Sequence, residues 1–404
     1  MITNLPEALS TNIKGMRRSA IRELLKYLST PGLISFSGGF PSPETFPTVE
    51  LKQIMMEVMD TEAASALQYG ATEGDMLLRT QLVERYRSQG IEMSVDNLII
   101  TTASQQALDL IAKMFIDRGD YVIVGLPSYL GGLSAFNSYG AKMIGIPMDD
   151  EGEDPQIMEA ELKKLADKGI KPKFIYLIPD FQNPAGVTMT ERRRKEIIEL
   201  AHKYDVLIIE DSPYRELRYE GSDQKTIYEL DGTGHVVLLG TFSKIFCPGF
   251  RIGWVAGHPD VLDKIVVGKQ ATDLCTPPFT QRIAARYMEK GLLDPKIEEI
   301  RRMYSVKQKG FLAALDKYMP EEITWTKPKG GLFMMASAPE YMDTDELLLK
   351  CIQEEKVAYV AGTSFFCDGG GKNTMRLNFS YETIEKNEEG AKRLGNFFKK
   401  QLKK

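Results

Sequence analysis

Between about residue 98 and residue 257, short apolar runs alternate with helical patterns, and this alternation limits the fold more than any other feature of the chain. The runs are Leu98-Ile99-Ile100-Thr101, Tyr121-Val122-Ile123-Val124, Phe174-Ile175-Tyr176-Leu177-Ile178, Val206-Leu207-Ile208-Ile209, Val236-Val237-Leu238-Leu239 and Ile252-Gly253-Trp254-Val255. Continuous rather than alternating hydrophobicity marks strands covered on both faces, as in a largely parallel α/β sheet. Helical spacing predicts a helix over 105–115, with Leu108, Ile111, Ala112 and Phe115 on one face, and another over 191–204. In open sheets of this kind ligands bind beyond the carboxyl ends of the strands, so residues there are the functional candidates.

The 404 residues exceed what one hydrophobic core normally serves, so a second domain is expected. After about residue 292 a long charged helical stretch leads into short strands near Ile323, Phe333 and Leu377 and helices near Leu347 and the C-terminus, the pattern of a smaller α+β domain. A net charge of -5 offers little attraction to nucleic acid or anionic lipid, and neither is expected as a partner. The basic run Arg192-Arg193-Arg194-Lys195 reads as a solvated helix face. No basic stretch followed by an apolar run opens the chain, and no window reaches the length of a membrane span. Cys247, Cys275, Cys351 and Cys367 lie far apart, which suits a reducing cytoplasm better than a disulfide framework. His202, His235 and His258 stand at no ligand spacing, so no metal is expected.

Four motifs carry chemistry. Gly240-Thr241-Phe242-Ser243-Lys244 follows an apolar strand and precedes Pro248-Gly249-Phe250-Arg251. A lysine partly buried there, beside a cation, loses proton affinity and becomes nucleophilic, while Thr241, Ser243 and Arg251 could bind an anion. Glu210-Asp211-Ser212-Pro213-Tyr214 ends another strand, and its Asp211 could be a metal ligand, a helix cap or the partner of a cationic ring nitrogen. Gln182-Asn183-Pro184-Ala185-Gly186 is a turn by composition, yet its asparagine could donate to a ring oxygen, as could Tyr214. Thr101-Thr102-Ala103-Ser104-Gln105 turns from strand to helix; its free N–H groups suit a phosphate, and Ser104 as a plain N-cap is the alternative.

Together these motifs resemble the fold-type-I pyridoxal-phosphate aminotransferases of class I/II. Within that family the chain is most similar to the branch holding 2-aminoadipate and kynurenine aminotransferases, through Ile34-Ser35-Phe36-Ser37-Gly38-Gly39-Phe40-Pro41, Leu67-Gln68-Tyr69, Ser104-Gln105-Gln106-Ala107-Leu108-Asp109 and Met375-Arg376-Leu377-Asn378-Phe379-Ser380. The resemblance spans nearly the whole chain. It implies a mainly parallel seven-stranded sheet in a large domain over 47–292, a small α+β domain over 293–404, and an N-terminal segment over 1–46 that joins the small domain and the substrate entrance.

By the same resemblance, Lys244 is the Schiff-base lysine, Asp211 meets the pyridine nitrogen, and Asn183 and Tyr214 meet the ring hydroxyl. Ser104, Gln105, Thr241, Ser243 and Arg251 would hold the phosphate, and Tyr129 would cover the ring. Tyr69 matches a tyrosine that reaches the neighbouring subunit's phosphate, which implies a homodimer. Arg376, assisted by Gly39 and Asn183, would hold the substrate α-carboxylate. Arg22 lies in Ile21-Arg22-Glu23-Leu24-Leu25, which resembles a mobile segment whose arginine meets a distal carboxylate. Two departures stand out: Ala103 replaces the usual glycine, and Thr241 stands where many relatives have serine.

The implied activity is ping-pong transfer of an amino group from 2-aminoadipate, glutamate, leucine or an aromatic amino acid to a 2-oxo acid such as 2-oxoglutarate. The same scaffold also serves β-lyases and decarboxylases, and the motifs alone do not choose among them. Aminotransferase-like regulators carry a DNA-binding domain ahead of this scaffold; the motifs begin near Ile34, and no such domain is expected.

Overall fold

The computed structural model describes residues 5–16, 26 and 30–402. Arg22 therefore lies outside the described residues. A short strand β1 (Ile34–Ser35) precedes the main sheet. That sheet holds β2 (Leu98–Thr101), β3 (Tyr121–Leu126), β4 (Lys142–Asp149), β5 (Gly152–Glu153), β6 (Phe174–Leu177), β7 (Leu207–Asp211), β8 (Val236–Thr241) and β9 (Gly253–Ala256). Its order is β2-β9-β8-β7-β6-β3-β4-β5, with every neighbouring pair from β8 to β4 parallel. β9 runs antiparallel to both of its neighbours, and the two-residue β5 adds an antiparallel eighth strand to the seven expected.

β4 is the strand that the apolar runs do not reveal. It is half-exposed, and Gly145 and Pro147 interrupt its hydrophobicity. Such residues are tolerated near the border of a sheet, where packing on both faces is not required. By contrast β6, β8 and β9 are buried at every position, as continuous apolar runs predict. Between Pro179 and Asn183 on one side and Leu126 and Tyr129 on the other, the chain order reverses: β3 leads outward to β4, while β6, β7 and β8 proceed the other way. A crevice opens at such a reversal, and here it lies at the strands' carboxyl ends.

The helices form as their spacing predicts, over Ala103–Phe115 and Glu191–Tyr204. The basic run in the second helix is only half solvated. Arg192 and Lys195 lie outside, but Arg193 is 6% exposed and Arg194 not at all. Arg194 reaches Asp180 at 2.9 Å and donates to the carbonyls of Pro179, Met189 and Lys225, while Arg193 pairs with Asp149 at 2.7 Å. Positions three and four apart share a helix face, whereas consecutive ones diverge by about 100°, so a run of four charges cannot all face water on a helix packed against a sheet. The buried pair braces the loop after β6.

Helix Leu293–Tyr318 spans two cores. Its residues Leu293, Ile297, Ile300 and Tyr304 join the core of the large sheet, and Phe311, Ala314 and Leu315 join a second core. The second core covers the small antiparallel sheet, built from β10 (Thr324–Trp325), β11 (Phe333–Ser337), β13 (Val360–Ala361) and β14 (Thr374–Asn378) in the order β10-β11-β14-β13. β12 (Val357–Ala358) pairs in parallel with β1 in a separate two-stranded sheet, and Ile34, Phe36 and Val357 join the second core, which ties the N-terminal segment to the small domain. Among the described residues no helix is long and apolar enough to cross a membrane.

Candidate active site

A cleft of about 430 Å³ opens at the carboxyl ends of β6, β7 and β8 and is closed on the far side by β11, β14 and the Ser37–Pro43 loop. Gly39, Ser104, Gln105, Tyr129, Asn183, Asp211, Tyr214, Thr241, Ser243, Lys244, Arg251 and Arg376 all line it. Tyr69 does not: its side chain is 80% exposed, away from this cleft.

Lys244 follows β8 in a tight turn, and its Nζ donates to the Gly39 carbonyl at 2.8 Å. Burial, with Arg376 and Arg251 nearby, pushes its ammonium down to about 8. Asp211 ends β7 and caps no helix; it is 2% exposed, and burial pushes its carboxyl up to about 7. Its Oδ2 accepts from the Tyr176 hydroxyl at 2.8 Å, while its Oδ1, also buried, has no partner among the described residues. An unpartnered buried carboxylate oxygen is costly unless a donor completes it. Tyr176 is a residue that the motifs do not single out. The one signal is a hydroxyl inside an otherwise apolar strand, and the register that pairs Tyr176 with Ile209 puts it on the face of Asp211.

Arg376, in the centre of β14, is 1% exposed. Its Nη1 donates to Asn183 Oδ1 at 3.0 Å and its Nη2 to the Ser37 carbonyl at 2.8 Å; its Nε has no partner among the described residues. The guanidinium stacks 4.1 Å from the Phe333 ring centre. Burial lowers its pKa to about 10, and among the described residues no carboxylate forms an ion pair with it. Asn183 Nδ2 in turn donates to the Tyr214 hydroxyl at 3.3 Å. Burial raises the Tyr214 phenol far above its ordinary range.

The opposite end of the cleft is built from short polar side chains. Thr241 Oγ1 and Ser243 Oγ stand 2.8 Å apart, and the Ser243 N–H donates to Thr241 Oγ1 at 3.1 Å. Ser104 sits in the first turn of the helix that Thr102 caps, so it is not the N-cap, and its hydroxyl contacts the Gly240 carbonyl at 3.4 Å. Ala103 has φ +60, in the left-handed region that favours glycine. That turn packs on Gly253, where a Cβ would lie 2.7 Å from the Ala103 carbonyl carbon. Tyr129 stands over the cleft with its hydroxyl 3.4 Å from Gln105 Oε1, and Arg251 adds a cation at the mouth.

A family model described as aminotransferase class I and II matches residues 33–394. The chain belongs to the class I and II aminotransferases. The aminotransferase is 48% identical to aromatic-amino-acid aminotransferase 1 of Thermococcus litoralis, over 96% of this chain and 94% of that one. It is 46% identical to the crystal structure of Pyrococcus horikoshii kynurenine aminotransferase in complex with PMP, at a TM-score of 0.96 and full coverage of both chains. It is 36% identical to the α-aminoadipate aminotransferase LysN of Thermus thermophilus, complexed with N-(5'-phosphopyridoxyl)-L-leucine, at a TM-score of 0.91 over 98% of this chain and 99% of that one. The fold is fold type I, and the cofactor of the aminotransferase is pyridoxal phosphate. The cleft fits it: Asp211 Oδ1 lacks a donor, a half-buried amine stands at the centre, and hydroxyls and an arginine gather at one end.

Two of the histidines, at no ligand spacing in the sequence, come together in the fold. Far apart in sequence, His202 and His235 meet Asp231 at the amino-terminal edge of the sheet, with ligand atoms within 4.8 Å of one another. The Thr233 hydroxyl lies between them, 2.7 Å from Asp231 Oδ1, 2.9 Å from His235 Nδ1 and 3.1 Å from His202 Nε2. The group is a closed hydrogen-bonded knot, remote from the cleft.

Proposed function

We propose that this aminotransferase moves the amino group of an L-amino acid, 2-aminoadipate, glutamate, leucine or an aromatic one, to a 2-oxo acid such as 2-oxoglutarate in a ping-pong sequence. The observation that carries the reading is the placement of three groups in one cleft: the half-buried Lys244 amine, the buried Asp211 carboxylate with one oxygen unpartnered among the described residues, and the buried Arg376 guanidinium with no counter-ion among them. Pyridoxal phosphate, when bound, supplies an aldehyde for the amino group and a pyridinium ring that accepts the electron pair released at the substrate Cα.

Each residue then has a task. Lys244 Nζ, pushed toward its neutral form, holds the cofactor and, once freed, moves the proton at the substrate Cα. Asp211 accepts from the ring N–H and keeps it protonated. Tyr214 and Asn183 reach the ring oxygen, and Tyr129 covers the ring. Ser104, Gln105, Thr241, Ser243 and Arg251 hold the phosphate. Arg376 takes the substrate α-carboxylate, with Gly39 and Asn183 beside it; its two Nη groups already form a fork.

Acidic and apolar donors are both assigned because the relatives include an aminoadipate enzyme caught with a leucine derivative and an aromatic-amino-acid enzyme. Arg22 is the residue assigned to a distal carboxylate. Tyr69, exposed in one chain, is assigned to the phosphate of the partner subunit in a homodimer. Incubation of the enzyme with each amino acid and 2-oxoglutarate tests the reading. Glutamate formation in amounts matching the new 2-oxo acid, with parallel double-reciprocal lines, is expected. Release of ammonia or carbon dioxide instead would make it a lyase or decarboxylase.

A further inference from the structure

The turn that carries Ala103 and Ser104 is fixed from behind by a buried cation that none of the roles above uses. Lys269, in helix Pro259–Gln270, has no exposed surface. Its ammonium donates to Gln106 Oε1 at 2.8 Å and to the two Asp273 oxygens at 2.8 and 3.0 Å. Gln106 relays this contact: the same Oε1 accepts from the Thr102 N–H at 2.8 Å, and Nε2 donates to Asp273 Oδ2 at 2.6 Å. The Thr102 hydroxyl donates to that Oδ2 at 2.9 Å. Gln106 and Asp273, both held by Lys269, thus converge on Thr102, the residue immediately before the left-handed Ala103.

We propose that Lys269 is a positioning residue for the cofactor's phosphate, holding the Thr102–Gln105 turn so that Ser104 and Gln105 face the cleft. The proposal rests on the reading that Ser104 and Gln105 belong to the phosphate site. Two physical points support it. A buried ammonium is weak evidence for stability alone, because an apolar side chain of similar volume often serves as well, which favours a role in fixing geometry. Its charge is also matched by Asp273, so it acts through the turn's shape and not through attraction across the helix. Alanine holds a left-handed φ less readily than glycine, so an anchor at the adjoining Thr102 helps to keep the turn in place.

The test compares pyridoxal phosphate with pyridoxal, which has the same ring and aldehyde and no phosphate. Both are titrated by fluorescence into the full-length protein stripped of cofactor. Lys269→Met and Gln106→Leu should each weaken pyridoxal phosphate binding by about tenfold or more, as misplacement of a binding group does, while pyridoxal affinity stays within about twofold. Lys269→Arg should recover part of the loss. Equal weakening of both ligands would show a general structural role, and no weakening of either would show that the network does not act on the site; each result overturns the proposal. Should Lys269→Met fail to fold, Gln106→Leu carries the comparison. Ser104→Ala tests the underlying reading separately: if it weakens both ligands alike, the phosphate binds elsewhere, whatever the Lys269 variants do.

Discussion

Asp211 keeps a carboxyl in a place that burial makes hostile to charge. It titrates near 7 in the folded, cofactor-free chain against about 3.9 when unfolded. The folded state therefore binds that proton more tightly, and stability of the cofactor-free protein falls as pH rises between those values. Asp211→Asn should stabilise the cofactor-free protein at pH 8 by an amount of order 1–4 kcal/mol, read as a higher melting temperature, and should cut turnover severely. A lower melting temperature would mean that the carboxylate is structurally required. Lys244 is shifted the other way. In the cofactor-free protein its acylation by an amine reagent, followed by mass spectrometry, should show a midpoint near pH 8, because the neutral amine is the reactive form. Arg376→Ala removes a neighbouring cation and should move that midpoint upward; an unchanged midpoint would separate the two groups. Lys244 and Asp211 were legible in the sequence because both stand at the carboxyl ends of apolar strands. Tyr176 was not, since its partner is chosen by strand register, and Lys269 was not, since burial of a lysine is decided by packing between distant segments.

At the scale of elements, the turn from β2 into the helix Ala103–Phe115 stores strain that its sequence need not carry. An alanine in the left-handed region is disfavoured by about 1–2 kcal/mol, partly offset by the greater chain entropy of glycine when unfolded. Ala103→Gly should therefore raise stability by roughly 0.5–1 kcal/mol, read as a higher urea midpoint at unchanged slope. A decrease would mean that the Ala103 methyl packs usefully. The departure from glycine at 103 is visible in the sequence, but its strain becomes visible only with the backbone angle. Helices were legible by periodicity, as at Glu191–Tyr204, and so were strands covered on both faces. β4 was hidden because a half-exposed strand needs no continuous apolar run. The burial of Arg193 and Arg194 was hidden because their acceptors, Asp149 and Asp180, lie in other segments.

For the whole molecule, the exposed Tyr69 and its neighbour Leu67, 80% and 64% exposed in one chain, are the face on which the proposed homodimer depends. Tyr69→Phe should weaken cofactor retention by about 1.5–3 kcal/mol, the value of a hydrogen bond to a charged group, without changing the α-carboxylate site. A fully active monomer in gel filtration would contradict the shared site. The association of the large sheet, the small sheet and the N-terminal strand brings residues as distant as Gly39, Lys244 and Arg376 into one cleft. Their order along the chain was legible through family resemblance; their meeting is a property of the fold. Every role proposed for the cleft depends on Lys244 as the residue that holds the cofactor. Borohydride reduction of the enzyme with pyridoxal phosphate, then proteolysis and mass mapping, tests this directly: the account predicts a stable phosphopyridoxyl group on Lys244 and none in Lys244→Ala, whereas a label on another lysine would contradict it.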